Sequence, residues 1–140
     1  MDRHTKNKEL ISALRLAMYD FSESSVRKVL DGLFISEPVL RLCYPLGDKV
    51  GVDNFYMDVF APLLWALPDL ERRDTIVMAG PTQEGADWVG CCGYYTGTFS
   101  KAWLDIPPTG HQVAMRFHEF YRFEDDRVTE VQALWDIPEV

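Results

Sequence analysis

The run His111-Gln112-Val113-Ala114-Met115-Arg116-Phe117-His118-Glu119-Phe120-Tyr121-Arg122-Phe123-Glu124 decides the fold, with the turn Asp125-Asp126 and the following run Val128 to Trp135. Successive side chains of a strand point to opposite faces, so the first run splits into two sets. Met115, Phe117, Glu119, Tyr121 and Phe123 are apolar but for one carboxylate. Ala114, Arg116, His118, Phe120 and Arg122 carry the charge. One buried face and one solvated face are the alternation of an antiparallel hairpin. With Glu124 opposite Val128, the residues Val131, Ala133 and Trp135 join the inner face. A slip of one residue reverses that assignment.

Outward from the hairpin, strands continue upstream. Residues 75–79 and 86–99 are rich in Val, Thr and aromatics and flank the turn Gly80-Pro81-Thr82-Gln83-Glu84-Gly85. The link over residues 100–110 carries Pro107-Pro108 and is too long for a simple hairpin. The first half is helical instead. Leu10, Leu14, Ala17, Met18 and Phe21 recur at helical spacing. Ser22-Glu23-Ser24-Ser25 is a helix start signal ahead of Val26, Val29, Leu30 and Leu33. A short extended run over residues 39–44 follows Pro38, and Val52, Phe55, Val59, Phe60 and Leu63 mark a third helix. Pro62 is expected to kink that helix or end it early. Helices followed by antiparallel strands predict an α+β fold, with the helices on one face of a curved sheet. A sheet bent over helices encloses a conical interior suited to a small molecule.

Composition narrows the partners. The 140 residues hold 14 Lys and Arg against 22 Asp and Glu, a net charge of −8. That balance argues against nucleic acid, whose binding rests on cations neutralising phosphates, and against anionic membrane surfaces. No apolar run approaches the roughly 18 residues of a membrane span, and the polar start Met1-Asp2-Arg3-His4-Thr5-Lys6 lacks a secretory core. Three cysteines, two of them adjacent at Cys91-Cys92, make no disulfide framework. A single domain over residues 1–140 in the reducing cytoplasm is the expectation.

Three stretches carry a family resemblance: Tyr95-Thr96-Gly97-Thr98-Phe99, Leu104-Asp105-Ile106-Pro107-Pro108-Thr109-Gly110, and Tyr121-Arg122-Phe123-Glu124-Asp125-Asp126-Arg127-Val128. In that order and spacing the chain resembles the SnoaL-like polyketide cyclases, within the nuclear transport factor 2-like fold. The resemblance implies a cone-shaped α+β barrel with N-terminal helices in the concave face of a mostly antiparallel sheet. It also implies a small apolar, polyketide-like carbonyl compound as partner and no cofactor. In the family's cyclases an Asp on the last strand is the general acid/base of an aldol ring closure, assisted by a His on the preceding strand. Here those positions fall at Ala133 and Glu119. Neither expected residue is present.

From the residues themselves, Glu119 is the leading candidate, because a carboxylate on an apolar face is desolvated and becomes a usable acid/base. The structural alternative pairs it with a helix residue such as Arg15, or with a tyrosine. Asp136, just past the last strand, is the second catalytic candidate if it curls into the cavity mouth; otherwise it caps a turn. Tyr94, Tyr95, Trp88, Trp103, Phe117, Tyr121 and Trp135 are candidates to line a substrate cavity, with Trp103 on the 100–110 link placed to act as a lid. Core packing is the competing role for each. No metal-ligand spacing stands out, and neither Cys91 nor Cys92 has a base beside it in sequence. Two functions follow: a cofactor-free cyclase or isomerase, or a module that binds or dimerises through the outer sheet face.

Overall fold

A computed structural model describes residues 2–140. Asp2 opens helix α1 (Arg3–Tyr19) by accepting the Thr5 N–H at 2.9 Å. Ser22 does the same for α2 (Glu23–Leu33) through the Ser25 N–H at 3.3 Å, as the start signal predicts. Helix α2 feeds straight into strand β1 (Phe34–Leu42), which begins earlier than the expected residue 39 and pairs with the short β2 (Lys49–Val50). The third helical segment consists of α3 (Val52–Phe55), a π-helical turn (Tyr56–Phe60) and α4 (Ala61–Ala66). Pro62 has no N–H to give and its ring crowds the preceding turn. The chain answers by widening just before it, so that the Ala61 N–H bonds to the Tyr56 carbonyl. The kink expected at Pro62 is this wider turn.

Strands β3 (Glu71–Pro81), β4 (Asp87–Thr98), β5 (Gln112–Glu124) and β6 (Arg127–Trp135) follow, and a 3-10 turn (Ile137–Glu139) ends the chain. The sheet order is β2-β1-β6-β5-β4-β3. Only β1 and β6 run parallel; every other neighbouring pair is antiparallel. The sheet is open, with β2 and β3 at its edges. Helix α1 packs on β3 and β4, and its buried Ile11, Leu14 and Met18 meet the inner face of the sheet. This is the predicted α+β architecture. Among the described residues no helix is long and apolar enough to cross a membrane.

Two bulges set which side chains face the helices. In β3, Asp74 pairs with Gly93 and Ile76 with Cys92, leaving Thr75 unmatched. Arg72 and Asp74 before the bulge, and Val77 and Ala79 after it, therefore all turn inward. The strands come so close there that a Cβ on Gly93 would collide with the Arg73 carbonyl, which accounts for a glycine at that position. In the β5–β6 hairpin, Glu124 pairs with Arg127 and Phe123 with Val128, one residue off the expected register. A shift between Arg122 and Phe123 restores it, so Tyr121 meets Val131, Glu119 meets Ala133 and Phe117 meets Trp135. Val131, Ala133 and Trp135 face inward as expected, by a different route.

Candidate functional site

The hairpin alternation carries Glu119 into the core, where it is 1% exposed. Burying a carboxylate costs several kcal/mol unless it is paired and hydrogen-bonded. Arg72 of β3 pairs with it, Nη1 to Oε1 at 2.7 Å. Tyr121, two residues along β5, donates its hydroxyl to the same oxygen. Oε2 accepts from the Tyr95 hydroxyl at 2.6 Å and from the Trp135 indole N–H at 2.8 Å. A carboxylate offers about four lone-pair sites, and four donors occupy them.

Arg72 is just as fully engaged. It is 1% exposed and grips Asp74 with a second pair of bonds, Nε to Oδ1 at 3.0 Å and Nη2 to Oδ2 at 3.2 Å. Its Nη1 also donates to the hydroxyls of Tyr95 (3.1 Å) and Tyr121 (3.3 Å). The Phe117 ring lies 4.3 Å from its guanidinium carbon, a cation–π contact. Burial pulls the guanidinium down, yet Glu119 first, then the two tyrosines and Asp74, hold it well above its usual value. Burial also pushes the Tyr95 and Tyr121 phenols well above the tyrosine range; Glu119 adds to that push and Arg72 opposes it. Both hydroxyls therefore stay protonated donors at neutral pH.

The structure sorts the sequence candidates into two groups. Glu119, Tyr95, Tyr121, Phe117 and Trp135 come together in this cluster. Trp103 lies beside it, buried, its ring 6.3 Å from that of Trp135 and its indole N–H without a partner. It is held on a tight turn in which Leu104 and Asp105 take left-handed backbone (φ 51° and 63°), a strained conformation for leucine. Tyr94 and Trp88 do not join them. Each lies on the outer face, Tyr94 accepting from Arg116 at 3.2 Å and Trp88 opposite Arg122. Asp136 is exposed at the sheet rim. There it follows Tyr94 and Glu139 in holding the Arg116 guanidinium above its usual value.

Arg15, the suggested helix partner of Glu119, reaches Asp74 instead at 3.4 Å. Arg72 and Asp74, the missing partners, sit in Glu71-Arg72-Arg73-Asp74, four charged residues in a row. Their only sequence signal is the alternation that Leu70, Arg72 and Asp74 continue into the strand. Clefts of about 740 and 550 Å3 open elsewhere on the molecule, and one of about 410 Å3 is walled by Arg15, Arg72 and Asp74 at the edge of the cluster; none of these three has Glu119 in its walls. Among the described residues no group of three or more His, Cys, Asp or Glu side chains is placed to hold a metal.

A family model described as SnoaL-like polyketide cyclase matches residues 15–139. Among curated proteins no relative matches. Solved structures of similar fold include IdmH from Streptomyces antibioticus, described as a candidate polyketide cyclase. It is 20% identical, with a TM-score of 0.76 over 96% of this chain and 94% of that one. A candidate SnoaL-like polyketide cyclase from Jannaschia sp. CCS1 is 22% identical, with a TM-score of 0.77 over 99% and 92% of the two chains. AclR from Streptomyces galilaeus, described as a candidate hydroxylase, is 20% identical, with a TM-score of 0.77 over 97% and 82%. At such identities the structural likeness carries the fold, and one fold hosts many activities. The family match over residues 15–139 carries more: the chain belongs to the SnoaL-like polyketide cyclase family.

Proposed function

We propose that this chain is a SnoaL-like binding and association module, one domain over residues 1–140, whose inner carboxylate holds the fold together rather than moving protons. One observation carries the proposal. The two positions at which the family resemblance implies an acid/base pair, residues 119 and 133, stand directly opposite each other on β5 and β6. They hold a carboxylate with every lone pair engaged and an alanine. A general base must accept a substrate proton; Glu119 does so only if a ligand first displaces one of its donors. Asp136 lies exposed on the rim, and on this reading it takes no part in proton transfer.

Family membership suggests a small apolar molecule as ligand; Tyr95, Phe117, Tyr121, Trp135 and Trp103 are all buried and line none of the open clefts, so these aromatics would have to part to admit it. The second partner is another copy of the chain. Ile76, Met78, Phe120 and Leu134 leave an apolar patch on the outer sheet face, 53%, 54%, 39% and 58% exposed, of the kind that marks association surfaces. Three free cysteines suit a cytoplasmic setting.

Glu119→Gln tests the central point. It keeps the shape and removes the charge beside Arg72, so urea denaturation is expected to show a loss of about 3 kcal/mol. A catalytic carboxylate behaves differently: the same substitution would leave stability nearly unchanged and abolish turnover of a small carbonyl substrate.

A further inference from the structure

Strand register gives one of the adjacent cysteines the base that their sequence context lacks. Cys92 on β4 pairs directly with His118 on β5, and its Sγ lies 3.2 Å from the imidazole Nδ1. The other two thiols differ. Cys91 faces inward, fully buried, and burial pushes its thiol up to about 12. Cys43 is tied to the Trp135 backbone, accepting its N–H at 3.4 Å and donating to its carbonyl at 3.8 Å. Cys92 is thus the half-buried free thiol with a ring nitrogen placed to take its proton.

The surroundings select what such a thiol would meet. Ile76, opposite Cys92 on β3, and Leu134, opposite His118 on β6, are both more than half exposed. A cleft of about 550 Å3 that takes in His118, though not Cys92, is walled by Leu42, Phe120, Ala133 and Leu134 and also by Arg41, Asp48 and Gln132. Along β4 and β5 the nearest charged and titratable neighbours are Tyr94 and Arg116, bonded to each other, and on β3 Arg73 lies opposite Tyr94. No carboxylate is paired with the imidazole among the described residues. The pair opens onto an apolar surface.

We propose that Cys92 and His118 form a nucleophilic pair that captures soft carbon electrophiles with an apolar body, α,β-unsaturated carbonyl compounds being the class. The thiolate is the reactive form of cysteine, and an adjacent base is how proteins generate it. The Cys92 proton passes to His118 Nδ1 and the sulfur bonds to the β-carbon. The C=C electron pair moves toward the carbonyl as an enolate, and His118 returns the proton to the α-carbon. Nothing leaves and no oxidant is needed. The proposal stands independently of the role of Glu119 and concerns the monomer, since self-association through Ile76, Met78, Phe120 and Leu134 would cover the pair.

The full chain is treated with N-ethylmaleimide in dilute, monomeric solution, and labelling is followed by peptide mass. Cys92 is expected to label at pH 7 before Cys43 and Cys91, and severalfold faster than N-acetylcysteine. His118→Gln should slow Cys92 by roughly tenfold at pH 7, yet by no more than about twofold at pH 10, where a free thiol is mostly ionised unaided. Equal slowing at both pH values, or none, overturns the proposal, because the histidine would then only shape access. If His118→Gln unfolds the chain, labelling of the buried Cys91 reveals it. The comparison of unsubstituted Cys92 with N-acetylcysteine at pH 7 then decides, and a protein thiol no faster than the free one overturns the proposal.

Discussion

His118 and Glu119 are neighbours on β5, and the sheet sends them to opposite faces. Glu119 is met by Arg72, Tyr95, Tyr121 and Trp135. His118 is met by one thiol and an open apolar cleft. Burial and availability of a titratable group are separate properties. Desolvation makes a carboxylate reactive only while an acceptor position stays free. Once every position is filled, the same burial makes it a structural charge whose loss is felt as stability. The outer pair is less buried and less saturated, so its chemistry is still available.

The largest effect should come from breaking the inner face at Arg72. Arg72→Met strips Glu119 of its cation and leaves Asp74 with Arg15 alone. A stability loss of about 3–5 kcal/mol is expected in urea denaturation. A loss under about 1 kcal/mol would make the inner face as tolerant as the outer one and remove the contrast.

Alkaline pH sharpens the comparison next. Cys91, Tyr95 and Tyr121 are all raised in the folded chain by burial, Cys91 from 9.0 to about 12. Above their ordinary values the unfolded chain releases protons that the folded chain keeps. The stability is therefore fully present below pH 9 and falls as pH rises through 9 and 10. Cys91→Ala should delay the onset toward pH 10. The urea midpoint followed across this range gives the answer.

The smallest effect belongs to the outer face. Leu134→Lys should change stability by no more than about 0.5 kcal/mol, since the side chain is 58% exposed. It should also abolish, in sedimentation, the self-association proposed for this face. Undiminished association would move the interface off this face.

Much of this was legible in the sequence because it follows from local periodicity. Alternation along β5 placed Glu119 inward and His118 outward, Ser22 announced α2, and Pro62 announced the irregular third helix. What was missed depends on register across strands. Arg72 lies before residue 75, where the strand is expected to begin, and only the partner 47 positions away makes it a core residue. The Thr75 bulge that turns both Arg72 and Val77 inward has no signature in one sequence. The Cys92–His118 pair likewise exists only once β4 and β5 are aligned. The direction of Asp136, the second catalytic candidate, depends on how the chain leaves β6, which alternation along the strand does not give.

The central claim is that Arg72 and Glu119 stabilise each other. A double-mutant cycle with Arg72→Met, Glu119→Leu and the pair combined, read by urea denaturation, tests it most directly. Each single variant is expected to lose about 3 kcal/mol or more. The double variant should recover part of that loss, giving a coupling of about 2 kcal/mol or more. Losses that simply add would show two independent residues, and Glu119 would return to candidacy as a free acid/base.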